Sequence, residues 1–441
     1  MIILLLSLAI QIALSLKKAS YGLMTYMAIR LCIPNAARVG SFSFNTLALM
    51  MLLICTLPTL IKRYFRIDKI DKYYIKNIIY LIVVLYVLTL FANYVPFSFQ
   101  IKALIQMCST ELLPSIIFII LIKDQIDIKR CVTVLMYCSI FTSLYGIFTF
   151  LTRSNPLYDL FQTEGNLFEN EFSRAGIESM AVGIYNDSIF LSLVCLLLIT
   201  FLYNKSSIIK NKKLWGFTIL ILTINLILTT KRSGLIALII FGIILFFDKQ
   251  YRKVLKKILI CGIIAVILLS FLPQGEGIKD MIISVIFFWN DKVQDSLDIG
   301  GSSNDLRLRQ LLAVLDLVKY NILQGMGYDF ANYYYTEIYD ASIYGLDPDF
   351  AGFESFAFKI LSASGIIGFI MWIKTFYNIK KYIHYKNNTS KYYALAFVAS
   401  YLSAILITDT SGSFYLFFIL SVLNKKFLMI NNSNNQTKIE L

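Results

Sequence analysis

Long apolar blocks constrain this chain before any motif does. A hydrocarbon core about 30 Å thick needs roughly 20 mostly apolar residues per crossing helix. The sequence reads as thirteen such blocks, at about 1–16, 20–33, 43–61, 77–95, 103–122, 131–151, 184–203, 214–230, 233–247, 255–272, 355–373, 392–408 and 411–423. Apolar residues make up 58% of the 441 and charged residues only 15%, against about 45–50% and 25% in soluble domains. The expected fold is an all-α polytopic membrane protein with about 13 transmembrane helices (range 11–14). The first two blocks are short and suit a tilted or partly interfacial pair. The start of the chain has no basic stretch and no small-residue cleavage site, so it reads as an uncleaved anchor rather than a signal peptide.

Charge alternates along the connections. Those at 17–19, 62–76, 123–130, 204–213, 248–257, 374–391 and 424–441 together net +22, and the intervening ones net −7. The excess of Lys and Arg on cytoplasmic loops then puts the first set inside, with the N-terminus outside and the C-terminus cytoplasmic. The overall charge of +14 is thus a topology signal, and no nucleic-acid partner is expected. His384 is the only histidine, which excludes a histidine ligand cluster or a Ser-His dyad. The seven cysteines lie in or beside apolar blocks without metal-ligand spacing, so neither a disulfide framework nor a zinc site is indicated.

Domain organisation follows from loop length. Residues 1–272 hold helices 1–10 with a smaller external loop at 152–183. Residues 273–354 form a large external loop, too long for an idle connector. Residues 355–430 hold helices 11–13, and 431–441 is expected to be a disordered cytoplasmic tail.

The external side is poor in cations, so its few arginines need a reason. Thr229-Thr230-Lys231-Arg232-Ser233-Gly234 joins two blocks and carries adjacent cations where the orientation rule disfavours them. Two readings stand: side chains snorkelling to lipid phosphates, or an anion site at the membrane surface. In the large loop, 278–297 with Trp289 suits an interfacial helix. Ser302-Ser303-Asn304-Asp305 then signals a helix start. Arg307 and Arg309 follow in its first turn, and Leu311, Val314, Leu315 and Val318 continue an apolar stripe. Cations there oppose the helix dipole; an anion bound at the helix start would relieve this, and so would pairing with Asp305. Arg174 is a third candidate. Beyond Gly325-Met326-Gly327, six tyrosines including Tyr328 and Tyr335 mix with Asp329, Asp340, Asp347 and Asp349. That mixture suits a sugar chain as well as an ordinary interfacial tyrosine belt.

Three of these patterns together resemble the O-antigen polymerase and ligase superfamily, bacterial enzymes that join lipid-linked glycans outside the inner membrane. The first is Thr-x-Arg-small-Gly opening a span, here Thr230 to Gly234, with Lys231 at the usual serine position. The second is Arg307, eighteen residues before the Gly325-Met326-Gly327 turn, with Leu311 and Ile322 where Trp and Pro are frequent. The third is a His with ten intervening residues before a Gly that opens the next span; Glu354 occupies the His position, and Gly365 to Gly368 complete it. Weaker similarity reaches Arg174 and Asn186. The resemblance runs over roughly 170–375, and the Glu-for-His exchange tilts it toward an O-antigen polymerase of the Wzy type. It implies a GT-C-like helical architecture, an undecaprenyl-diphosphate-linked glycan donor and acceptor, no cofactor and no metal. It also implies work downstream of a flippase and beside a chain-length regulator.

The chemistry suits these residue types. Negative charge develops on a lipid diphosphate leaving group, and cations fixed beforehand at that oxygen stabilise the transition state. Guanidinium binds phosphate bidentately, which assigns Arg232 and Arg307, with Arg174, Lys231 and Arg309 as further binding groups. The acceptor hydroxyl needs a general base, and Glu354 is the best-placed carboxylate; its plainer role is to complement a helix dipole. A ligase of the same superfamily and a lipid-linked oligosaccharide flippase are the alternatives. Spans with few charges, among them Lys359, Glu111 and Asp187, weigh against the flippase.

Overall fold

A computed structural model describes residues 2–34, 37–40, 42–161, 181, 183, 187–203, 212–229, 231–248, 304–338, 355–384, 391–407 and 411–436, with isolated positions between 252 and 283. The fold is all-α. Helices α1 (Ile2–Lys17) and α2 (Ala19–Cys32) lead into a two-residue hairpin, Arg38–Val39 against Phe42–Ser43. Then come α3 (Phe44–Tyr64), α4 (Lys69–Phe91), α5 (Phe97–Met107), a π-helical turn (Cys108–Leu112), α6 (Leu113–Leu121) and α7 (Gln125–Thr152). The short α8 (Pro156–Phe161) is followed by α9 (Asp187–Tyr203), α10 (Lys212–Leu228), α11 (Arg232–Phe246) and α12 (Asn304–Val318). Last are α13 (Phe330–Tyr333), a second π turn (Tyr334–Ile338), α14 (Phe356–Ile383), α15 (Lys391–Ile407), a 3-10 turn (Ser411–Ser413) and α16 (Phe414–Gln436).

Local chemistry sets the boundaries. The Ser43 hydroxyl accepts from Thr46 N–H (3.2 Å) and caps α3. Arg153 takes the left-handed conformation (φ 51°) that closes α7. Among the described residues, α3, α4, the continuous α5–α6 unit, α7 and α14 reach both the length and the hydropathy of a membrane crossing. The chain is therefore a multi-pass membrane protein. Most of the thirteen sequence blocks coincide with a helix, but α1, α11 and α15 are shorter apolar helices, and the block at 255–272 lies largely outside the described residues.

Several helices outrun their apolar blocks. α4 begins at Lys69, not near 77, and α14 continues to Ile383 rather than ending near 373. The extra turns are polar but partnered. Asp71 accepts from the Tyr382 hydroxyl (2.7 Å) and pairs with Lys425 (2.5 Å), and Asn378 donates to Asn77 (2.6 Å). Partnered polar groups continue a helix past its apolar stretch because their burial is compensated. α16 likewise runs to Gln436, so residues 431–436, expected as part of a disordered tail, continue the helix.

The same contacts sort the connections by end. Lys18 pairs with Asp127 (2.7 Å), Arg63 donates to Leu121 O (2.8 Å), Lys123 donates to Arg66 O (3.1 Å), and Lys426 donates to Ile119 O and Ile122 O. With the Asp71 cluster, these bonds gather the connections at 17–19, 62–76, 123–130, 374–391 and 424–426 at one basic end. At the opposite end Ala181 N–H donates to Leu228 O (2.8 Å), Asn155 donates to Gly183 O (2.9 Å), and Gln324 donates to Phe91 O (3.2 Å). Loops of like charge class share an end, as a membrane orientation set by basic loops requires.

Reporter fusions after Lys213 and Lys381 are expected to read as cytoplasmic, and fusions near Gly165 and Tyr335 as external. A cytoplasmic signal at Tyr335 would overturn the assignment of the opposite end to the outer face.

Candidate functional site

The site is built on a broken helix. Inside α14, Gly365 adopts φ 61° and ψ −163°, which ends one helical segment and starts another. In an intact helix, Ile366 and Ile367 would donate to the carbonyls of Ser362 and Ala363. Here the segment Ile322–Gly327 enters the break and takes both sides of it. Met326 N–H donates to Ser362 O (2.7 Å) and Gly327 N–H to Ala363 O (3.0 Å). In return, Ile366 N–H donates to Ile322 O (2.9 Å) and Ile367 N–H to Leu323 O (3.2 Å). Two helical hydrogen bonds are replaced by four to the loop, so the two carbonyls and two N–H groups that would have paired with each other all keep partners.

This insertion explains the glycines. A Cβ on Gly325 (φ +75°) would lie 2.5 Å from Gly365 N, and one on Gly365 would lie 2.5 Å from Leu323 O. The two backbones touch where each lacks a side chain. Gly-x-Gly and the glycine opening the span are therefore two halves of one joint.

A buried glutamine holds the joint from the other side. Gln100, on α5, is fully buried. Its amide donates to Val95 O (2.7 Å) and Ala92 O (3.2 Å) and accepts from Tyr328 N–H (2.8 Å). Helix α12 packs over the joint through Val314 and Val318, which cluster with Met326, Phe330 and Val95. The predicted stripe is shifted slightly: Gln310, Val314 and Val318 are buried, and Leu315 points outward. Helical register puts position 307 in line with Gln310 and Val314, whereas Arg309 is exposed.

Beside the joint lies a cavity of about 310 Å³. One wall comes from α5 and its π turn (Gln106, Met107, Thr110, Glu111), another from 328–332, and a third from α14 (Phe356, Lys359, Ala363, Trp372), with Gly412 and Phe414 completing the lining. Its aromatic floor is tightly packed. Trp372 lies 5.2 Å from Phe356, edge to face, and 5.1 Å from Phe414, stacked. Glu111 is committed on both oxygens, pairing with Arg30 (3.1 Å) and accepting from Tyr415 N–H (2.9 Å). The Arg30 guanidinium lies 3.9 Å over the Tyr415 ring. A π turn that carries a buried acid in an apolar helix is a recurrent mark of function. Burial, and then the neighbouring Asp329 carboxylate, push the enclosed Tyr328 hydroxyl well above its ordinary range, so it stays protonated and able to donate.

The sequence candidates distribute as follows. Tyr328 lines the cavity. Lys231 is half-buried at the extended residue preceding α11, and Arg232 is the first residue of that helix. The hydrogen bond from Ala181 to Leu228 ties the end of α10, and so this turn, to the 181–183 segment. Tyr335 falls in the second π turn. Glu354 and Arg174 lie outside the described residues, as does the 278–297 segment apart from position 283; Ser355, next to Glu354, is buried at the start of α14. Sequence reasoning passed over Gln100 and gave Glu111 and Lys359 no role. The available signal for Glu111 and Lys359 was their polarity within apolar blocks; Gln100 falls between two blocks and gave none.

Residues 217–373 match the model of a family described as O-antigen ligase. A comparison with curated proteins gave no match. The matched stretch contains all three motifs, and it supports the O-antigen polymerase/ligase superfamily as the setting for a membrane enzyme of glycan transfer. It stops short of the α5 wall and the 412–414 wall of the cavity.

Gly325→Ala is expected to destabilise the protein by about 2–5 kcal/mol, through the positive φ and the forced overlap. Gln100→Leu strands two carbonyls and one N–H, at about 1–3 kcal/mol per buried group. Thermal unfolding in detergent checks both. Wild-type melting for Gly325→Ala would mean the loop is not seated in the helix break.

Proposed function

We propose that this protein is a polysaccharide polymerase that joins undecaprenyl-diphosphate-linked repeat units at the outer face of the bacterial inner membrane, for O-antigen or capsule synthesis. One observation carries the reading: the family-matched stretch holds three motifs in order, and two of them are one physical joint beside a polar cavity. The orientation, with the N-terminus outside and the C-terminus cytoplasmic, follows from the loop charges.

In this reading the enzyme is a metal-independent glycosyltransferase of GT-C-like build. Arg232 and Arg307 hold the donor diphosphate and neutralise the charge that develops as the sugar–phosphate bond breaks. Arg174, Lys231 and Arg309 add electrostatic attraction, and Tyr328 and Tyr335 contact the glycan. Glu354 takes the proton from the acceptor hydroxyl, in the place where the resembling family carries a histidine. Its partners are the lipid-linked donor and acceptor, membrane lipids, a flippase and a chain-length regulator. A second reading, an O-antigen ligase, draws on the description of the matched family itself.

A deletion strain separates the two. A single repeat unit still attached to lipid A-core supports a polymerase, and unattached long glycan supports a ligase. With purified protein and lipid-linked repeat units, Arg232→Ala and Arg307→Ala are each expected to abolish or strongly reduce polymerisation at normal protein levels, with only partial rescue by Lys. Glu354→Gln is expected to lose about 10²–10⁴-fold. Wild-type chains from both arginine variants would refute the diphosphate site, and wild-type turnover by Glu354→Gln would refute the base.

A further inference from the structure

A groove of about 560 Å³ opens between α2 and α7 at the basic end of the bundle, with Leu14 of α1 completing its wall. Tyr21, Thr25 and Ala28 on one helix, and Ile126, Arg130 and Val134 on the other, recur at three- or four-residue intervals, so each helix gives the groove one face. Thr25 and Thr133 turn their hydroxyls back onto the carbonyls of Tyr21 (2.9 Å) and Lys129 (3.0 Å) on their own helices. What they leave in the wall is hydrocarbon. Ile126 to Val134 covers about 12 Å of helix, less than half of a core about 30 Å thick, so the groove stays within one leaflet. Its mouth is cationic. Lys129 and Arg130 are exposed there, and Lys129 makes no ion pair among the described residues. Arg130 is held in place: it donates to the Tyr21 hydroxyl, its guanidinium lies 5.2 Å over the Tyr21 ring, and Asp127 is 4.0 Å away. Asp127 is met more closely by Lys18 (2.7 Å). A guanidinium has five N–H donors, and the Arg130 side chain is 50% exposed. Over 17–19 and 123–130, five cations meet two acids.

We propose that this groove binds one anionic phospholipid from the leaflet at the basic end, its phosphate on Lys129 and Arg130 and the upper part of one acyl chain along Met24, Ala28, Ile126 and Val134. The order of polarity chooses the occupant: a phospholipid, like the groove, is charged at the mouth and apolar below it. Basic pockets between membrane helices at the cytoplasmic face take anionic head groups, and the loop charges assign this end to that face. A zwitterionic head group carries its own ammonium, which offsets the attraction of the cations for its phosphate. The volume falls within that of ligand clefts, about 300–1,000 Å³. The groove lies ahead of the family-matched stretch and at the opposite end of the bundle from the cavity, so it is independent of how the protein handles glycans.

Lipid titration of the full-length protein in detergent, read by native mass spectrometry, tests this with three probes: dioleoyl phosphatidylglycerol, dioleoyl phosphatidylethanolamine and glycerol 3-phosphate. Phosphatidylglycerol is expected to bind most tightly. Lys129→Gln and Arg130→Gln are each expected to weaken it about fivefold, with Lys129→Arg retaining most of the affinity. Ala28→Leu narrows the groove without touching charge and is expected to weaken the same probe. Lys72, an exposed cation at the same end on α4, is the control, and Lys72→Gln is expected to bind as the wild type does. Lys129 is exposed, so its variant carries the test if Arg130→Gln is recovered unfolded. Wild-type affinity in Lys129→Gln, or an equal loss in Lys72→Gln, would overturn the site. Equal binding of phosphatidylethanolamine would overturn the anionic occupant, and equal binding of glycerol 3-phosphate would overturn the lipid. A dimer that Ala28→Leu dissociates, with lipid affinity unchanged, would assign the groove to a second copy and overturn the proposal.

Discussion

A helix interrupted inside a membrane protein exposes backbone donors and acceptors that neither lipid nor side chains readily satisfy. The break at Gly365 is tolerable because the segment Ile322–Gly327 supplies two donors and two acceptors at the required positions. Everything at this end of the molecule hangs on that exchange. It fixes the loop after α12 to α14, places Tyr328 and Asp329 at the cavity, and gives α12 a surface on which to pack through Val314 and Val318. Gln100 secures the same loop to α5, using both of its amide hydrogens and its carbonyl oxygen. The result is a rigid seat for the loop beside the cavity.

The two ends of the bundle use charge differently. At the basic end, cations are absorbed by structure: Lys425 by Asp71, Lys426 by the carbonyls that end α6, and Lys18 by Asp127. At the opposite end the buried Arg30–Glu111 pair closes the cavity floor. Removing one partner of such a pair costs about 3–5 kcal/mol because the other charge is left stranded. Both oxygens of Glu111 are engaged, so its place is in holding Arg30 and the start of α16.

Much of the fold was legible in the sequence because apolar length and loop charge are direct consequences of the bilayer. Helix ends were less so. The turns of α4 and α14 beyond their apolar blocks exist because Asp71, Asn77, Asn378 and Tyr382 meet across the bundle, and no local pattern announces a partner about 300 residues away. The Asn-rich end of α16 was missed for a related reason, since composition alone suggested disorder. At the joint, the glycine motifs at Gly325 and Gly365 were visible in the sequence. That Gly325 and Gly365 face each other was invisible, because it depends on a positive φ in the middle of a helix. Gln100 gave no signal at all, because it lies in the connection between two apolar blocks, where a polar residue is ordinary.

The seating of the loop in the broken helix is most directly measured by hydrogen–deuterium exchange on the protein in nanodiscs. The amides of Met326, Gly327, Ile366 and Ile367 are predicted to exchange as slowly as those in the interior of α14, since each is hydrogen-bonded across the joint. The amides of the exposed segment Thr336–Glu337 are predicted to exchange faster. Rapid exchange at Met326 and Gly327 alongside slow exchange at Ile366 and Ile367 would show an unbroken helix with the loop unattached, and would contradict the account.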